Sequence, residues 1–410
     1  MTPRSAHTHH TDDSEGRSSM GNNPVVEESA LRPSRNRRLL AILATAGAVL
    51  TLAFTGQPAS ADPPGTPGQP PAGKAPNQIL AGVGADAFAE LTNDIATVYN
   101  AAPPAGTTRV LASYDAVNPV TGATGAGENI TPKPGCASPA IPRPNGANAG
   151  ITALLANQKS TVDSNEYCID FVRSSRAKGA AAAEQPLTFY AQSRDAVSYA
   201  VIGNAYAPVA PLTTAQLKDI FECTTTDWSQ VGGQAGAIHL YLPPTSAATF
   251  TFFLQAIGSS VAAVSAGCTG LPTVFVGQQN DGTSMKGDPQ GILPYAVTKW
   301  AAQYNKAPGI LDLRGGAQIG LVNTTQSPFK TATLSGITYR VLDPNFVTGA
   351  SASFGRYFFN TVRPDAPQEL KDVFKAGGYL CQHADELLIP FGNTPLGDDT
   401  NQTQYCGKPN

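Results

Sequence analysis

The chain has 410 residues, a formal net charge of -3 and only 14% charged residues. No basic run follows the first 61 residues, which argues against nucleic acid as a partner. The length beyond that point suits two lobes of about 100–200 residues each.

The N-terminal region reads as an export leader. Arg32, Arg35, Arg37 and Arg38 form a basic patch, followed by an apolar stretch over 39–54. That stretch falls short of the roughly 20 apolar residues that span a bilayer. Ala59, Ser60 and Ala61 then give the small-x-small pattern of a signal peptidase site, so 32–61 reads as a cleaved signal peptide rather than an anchor. Residues 1–31 are polar, carry His7, His9 and His10, and read as a disordered extension, with Met20 an alternative start. There is no cysteine near the cleavage site and no apolar tail at the C-terminus. The expectation is a secreted, extracellular monomer with no membrane anchor after cleavage.

Residues 62–76 are rich in Pro and Gly and read as a linker. From residue 77 to 410, short apolar runs alternate with amphipathic stretches. A strand is expected at 79–83, then a helix with Phe88, Leu91, Ile95 and Val98 on one face. A second strand is expected at 110–114, a long loop at 122–143 and a short helix at 149–157. Further on come a strand at 197–202, a helix capped by Thr213 or Thr214, a strand at 238–242 and a helix at 249–257. This alternation indicates α/β layers.

Six cysteines follow the leader: Cys136, Cys168, Cys223, Cys268, Cys381 and Cys406. An even number in an exported chain reads as disulfides, for which about 15 pairings exist. Sequential pairing, Cys136–Cys168, Cys223–Cys268 and Cys381–Cys406, is expected because each bridge then closes a loop within one lobe. A metal site is not expected, since no Cys-x-x-Cys occurs and only His239 and His383 remain beyond the leader. No cofactor motif is present. The phosphate-cradling Gly-x-x-x-x-Gly-Lys and the Gly-x-Ser-x-Gly elbow are both missing, so an enzyme is not expected.

Three junctions place small residues just before a helix. They are Gly84–Ala85–Asp86, Asn145–Gly146–Ala147–Asn148, and the segment holding Ser246 and Thr249. Open backbone N–H groups at a helix N-terminus attract anions, although the same residue types also cap helices for structural reasons. A fourth segment, Arg173, Ser174, Ser175 and Arg176, adds guanidinium and hydroxyl donors suited to oxyanions, or else forms a solvated turn.

The segments 79–91, 142–155, 169–176, 212–233 with its Asp227–Trp228, 242–258 and 291–295 resemble, in order, the phosphate-binding receptor of phosphate ABC transporters. The nearest likeness is to exported relatives in the type II periplasmic-binding-protein superfamily. The resemblance implies an α/β fold of two lobes joined by crossovers near Val201 and Pro294, with a ligand held between them. Lobe one would span about 77–200 and 295–410, and lobe two about 201–294. It also implies binding residues at Gly84–Asp86, Asn145–Asn148, Arg173–Ser175, Ser246 and Thr249, and a small oxyanion as ligand. An ABC permease would be the partner of such a receptor, but this chain shows no tether.

The chain departs from the family pattern in its loops. Ala85, Ala87 and Ala247 stand where relatives carry hydroxyls, Ser246 and Ala248 where they carry glycines, and Phe250 where they carry an Arg or similar residue; Ser246 adds one hydroxyl back. Ser175 falls where the phosphate receptor has a carboxylate. Each lost hydrogen bond to a charged oxygen is worth about 1.5–3 kcal/mol. A protein that kept the fold and lost the ligand, acting as an extracellular interaction or structural protein, is the alternative expectation.

Overall fold

The computed structural model describes residues 62, 72–123, 127–203, 205–245, 247–397, 400 and 403–410. The expected leader extension and signal peptide lie outside the described residues, as do most of the linker and Ser246.

Strand β1 (Ile79–Gly84), helix α1 (Ala89–Ala101) and strand β2 (Val110–Ser113) follow the predicted strand–helix–strand order. The long loop over 122–143 holds only a short ribbon, β3 (Asn129–Ile130) with β4 (Ile141–Pro142). Then come α2 (Ala147–Leu155), β5 (Phe171–Ser174) and β6 (Thr188–Ile202). Helix α3 (Thr214–Phe221) begins at Thr213, whose Oγ1 accepts the Gln216 N–H at 3.2 Å. It is followed by β7 (His239–Leu242), α4 (Ala248–Ala256), α5 (Val261–Cys268), β8 (Val274–Val276), β9 (Gly291–Ala296) and α6 (Val297–Asn305). The last third forms β10 (Ala317–Ile319), the hairpin β11 (Phe329–Leu334) and β12 (Ile337–Leu342), and β13 (Gly355–Val362). Three short helices, α7 (Gln368–Phe374), α8 (Tyr379–Gln382) and α9 (Ala384–Leu388), precede β14 (Thr394–Pro395).

One sheet of ten strands carries the order β2-β1-β5-β13-β6-β9-β7-β8, with β10 and β14 also paired to β6. β1 runs parallel to β2 and β5, as strand–helix–strand crossovers require. β13 is antiparallel to β5 and β6, and β9 is antiparallel to β6 from Val197–Ala296 to Val201–Ile292.

The apolar side chains form two main cores. The first takes Leu80, Leu91, Ile95, Phe171 and Val172, with Phe374 and Leu387 from the C-terminal helices. The second takes Leu217, Ile220, Trp228, Leu240, Phe253 and Ile292, plus Val322 and Phe354 from outside the 201–294 span. Strand β6 serves both: Phe189 and Ala191 belong to the first core, Val197 and Val201 to the second.

β6 is far longer than its apolar stretch at 197–202. Its first half carries Gln192, Ser193 and Asp195, which break the apolar pattern yet are fully buried. Pairing along both edges satisfies the backbone there, so the strand persists through polar sequence.

The bridges are Cys136–Cys168, Cys223–Cys268 and Cys381–Cys406, closing sequence separations of 32, 45 and 25. The first and third lie in the first core and the second in the second core. Each therefore restricts the unfolded chain locally, worth about 3–4 kcal/mol.

Gly82 sits where β1 crosses the Phe171 ring, and a Cβ there would come 2.1 Å from Phe171 Cζ. Gly82→Ala is expected to lower stability by about 1–3 kcal/mol through overpacking. Urea unfolding at fixed pH would measure this.

Candidate functional site

The first two predicted loops meet at the C-terminal end of β1. Gly84 (φ 125°) ends the strand, and a Cβ on it would lie 2.4 Å from the Arg173 carbonyl oxygen, so glycine is required. The Ala85 N–H donates to the Arg173 carbonyl at 3.0 Å and the Gly146 N–H to the Gly84 carbonyl at 3.3 Å. These two N–H groups thus serve the fold. Ala147 is buried at the start of α2.

The polar side chains of these loops face the segment between β8 and β9. The Asn280 amide donates to Asp86 Oδ2 at 2.9 Å, and the Gln279 amide donates to Asn145 Oδ1 at 2.8 Å. Gln279 and Asn280 are both buried. Asn148 Oδ1 accepts from Arg176 Nε at 2.7 Å, while Arg176 also pairs with Glu184 at 2.8 Å. Ser174 Oγ donates to the Arg176 carbonyl at 2.7 Å.

Arg173 is fully buried. Its Nε donates to the Ala85 carbonyl at 3.3 Å, Nη1 to Ser113 Oγ at 2.6 Å and Nη2 to the Tyr114 carbonyl at 2.6 Å. Every nitrogen of its guanidinium therefore has an acceptor inside the fold. Burial pushes Arg173 down to about 10, opposed by the carboxylates of Asp115, Glu90, Asp86 and Asp62. Two of these have other cations: Asp62 pairs with Arg143 at 2.7 Å, and Glu90 with Lys299. The surroundings of Arg173 are a mixed ionic cluster, not a purely cationic one.

Ser175 differs from its neighbours. It is 1% exposed and its Oγ has no hydrogen-bond partner. Thr249, in the first turn of α4, is equally buried and its Oγ1 accepts from Arg356 Nη2 at 3.3 Å. Arg356 was not among the expected site residues. Its Nε donates to Asp195 Oδ2 at 2.7 Å, and Asp195 Oδ1 accepts the Thr298 hydroxyl at 2.6 Å. Arg356 Nη1 is buried without a partner. The guanidinium lies 5.5 Å from the Phe358 ring, which stacks on Phe88 at 4.2 Å, just beyond Asp86. This stacking links the Thr249–Arg356 pair to the β1 loop. The sequence signal for Arg356 is the one charge in β13, beside Tyr357, Phe358 and Phe359. Phe250, beside Thr249, packs into the second core.

Residues 70–376 match the family model for the PBP superfamily domain. The chain belongs to the PBP superfamily. Comparison with curated protein sequences gives no match. Among solved structures, this PBP superfamily chain is similar to an ABC-type phosphate transport receptor from Vibrio cholerae, at 16% identity and a TM-score of 0.46, covering 77% of this chain and 98% of that one. It is similar to PstS from Borrelia burgdorferi at 12% identity and a TM-score of 0.44, covering 77% of this chain and 98% of that one. It is also similar to a human phosphate binding apolipoprotein at 16% identity and a TM-score of 0.45, covering 78% of this chain and 92% of that one. These scores are low, and the family assignment of this PBP superfamily member rests on the family model.

The ionic cluster has a pH signature. Burial, and next the charge of Glu90, push the Asp115 carboxyl from 3.8 up to about 7, with the Asn93 amide opposing. A raised carboxyl keeps its proton in the folded chain after the unfolded chain has released it. Stability is therefore expected to fall as pH rises from about 4 to about 7. Asp115→Asn should flatten that slope and leave the variant more stable than the parent at pH 8, measured by urea unfolding across the range.

Proposed function

We propose that the chain is an exported solute-binding protein that holds a small oxyanion, of the phosphate class, with Ser175 and the β1 and α2 loops contributing on one side and Thr249 and Arg356 on the other. It acts by binding, not by catalysis, and is released from the cell after cleavage before Asp62. The observation that carries the reading is the pair of buried donors without acceptors, Arg356 Nη1 and Ser175 Oγ. A buried donor left bare costs about 1–3 kcal/mol, more when charged, and an oxyanion would remove both penalties. Thr249 adds the first turn of α4, whose free N–H groups and dipole favour negative charge. Membership of the PBP superfamily supports the solute-binding class. The phosphate class itself comes from the sequence resemblance and from the chemistry of these donors.

A second reading has its own support. The Gln279 and Asn280 amides engage Asn145 and Asp86, so the chain's own side chains take up polar groups that a ligand would use. On this reading the fold persists as an extracellular interaction or structural protein.

A melting-temperature panel with phosphate, sulfate and organic phosphates separates the two. A ligand at about 100 times its dissociation constant adds about 2.7 kcal/mol. The parent is expected to gain stability with one of these anions, and Ser175→Ala and Arg356→Lys to gain less. No shift with any anion at millimolar concentration would reject the oxyanion and leave the interaction reading.

A further inference from the structure

Asp62 opens the segment whose composition reads as a linker, yet it is part of the fold. It is 5% exposed, and its side chain and that of Arg143 have no exposure at all. Three contacts pin it beside Asp115. Arg143 Nη2 donates to Asp62 Oδ1 at 2.7 Å, Arg143 Nη1 to the Asp115 carbonyl at 2.8 Å, and the Asp115 N–H to Asp62 Oδ2 at 3.3 Å. Covalent geometry keeps the Asp62 backbone nitrogen within about 5 Å of its own carboxylate, so that nitrogen belongs to the same cluster.

The cluster is short of positive charge. Among the described residues, the four carboxylates around Arg173 are those of Asp62, Asp86, Glu90 and Asp115, and the three cations are Arg143, Arg173 and Lys299. Asp62 has Arg143, and Glu90 has Lys299. Asp115 Oδ1 accepts from the Asn93 amide at 2.6 Å, and Arg173 attracts this carboxylate with no ion-pair contact to it among the described residues. Asp94 borders the same recess as Glu90, Asn93 and Asp115 and adds to the acidic side.

We propose that removal of the leader completes this cluster: the α-ammonium group created at Asp62 becomes its fourth cation and pairs with Asp115. The inference rests on the export part of the reading above, with the cut before Asp62. A peptidase adds water across the Ala61–Asp62 bond, which leaves a carboxylate on Ala61 and an amine on Asp62 that takes up a proton at neutral pH. Arg143 already seats Asp62, so the cut changes the charge on its nitrogen without requiring a rearrangement. A buried ammonium and a buried carboxylate each offset the other's desolvation cost.

The stability slope ascribed above to Asp115 then belongs to the chain with residues still attached before Asp62. In the processed chain the ammonium draws the Asp115 carboxyl down, and the loss of stability between about pH 4 and 7 shrinks. The amine gains a partner on folding, so its folded value rises. Its contribution is complete below its unfolded value of about 8 and is lost as pH rises through the folded value.

The test compares two folded proteins, disulfides intact, each released from a removable fusion. One begins at Asp62 and the other carries a neutral Gly–Ser extension before it. Isotope-labelled reductive methylation and NMR titration read the terminal amine, and urea unfolding reads stability. The amine at Asp62 is expected to titrate above about 9, against about 8 in the extended chain and in Asp115→Asn. The chain beginning at Asp62 should have an unfolding equilibrium constant about tenfold smaller at about pH 7. If Asp115→Asn does not fold, Asp62→Asn, which gives up the Arg143 pair, should also return the amine to about 8. An ordinary amine in the chain beginning at Asp62, equal stability of the two proteins, or an unchanged amine in the folded variants overturns the proposal. Intact mass of the protein recovered from the medium locates the cut. A terminus other than Asp62 overturns the processing step and the inference together, whereas an Asp62 terminus with an ordinary amine overturns the inference alone.

Discussion

The buried ion pair between Asp195 and Arg356 sits where strand β6 leaves one core and enters the other. The two side chains meet at 2.7 Å with almost no exposure. Thr298 at the start of α6 holds the other oxygen of Asp195, and Thr249 at the start of α4 accepts from Arg356. Four elements therefore converge on one charge pair. Desolvating two ions is costly, and such a pair is tolerated where its geometry and added hydrogen bonds offset that cost. Removing one partner would strand the other in a low-dielectric interior, at about 3–5 kcal/mol. The position of the α4 N-terminus relative to β13 depends on this contact, and with it the geometry of the proposed oxyanion site.

A second constraint shapes the same region from the other side. Asp62, Asp86, Glu90 and Asp115 surround Arg173, with Arg143 and Lys299 paired into the group. In such a cluster each cation is already balanced by carboxylates, so Arg173 braces the ends of β1 and β2 through Ala85, Ser113 and Tyr114. Arg356 has one carboxylate partner and keeps a free donor. The difference between these two arginines lies in how many of their N–H groups the fold consumes.

Around these contacts the architecture is divided. The disulfides stay within single cores, so none ties one core to the other. Continuity between the cores includes β6 and β9, the Asp195–Arg356–Thr249 contact, the Glu90–Lys299 pair, and the Asp86–Asn280 and Asn145–Gln279 hydrogen bonds. Hydrogen bonds of this kind contribute about 0.5–1.5 kcal/mol each, small enough for a ligand to replace.

By itself the sequence determined the local features. Apolar runs placed β1, β2 and β7 within a residue of their ends, and apolar spacing located α1 and α3, because those elements bury one face or a whole strand. Cysteine spacing matched the pairing found, because each bridge is local to one core. The order of motifs carried the family. Tertiary structure alone decided how far β6 extends through buried polar residues, and which arginine keeps a free donor. Arg356 and Asp195 are 161 residues apart in the chain, and Arg173 and Ser113 are 60 apart. Partners so distant leave no local pattern, and an arginine's availability to a ligand depends wholly on what folding brings beside it.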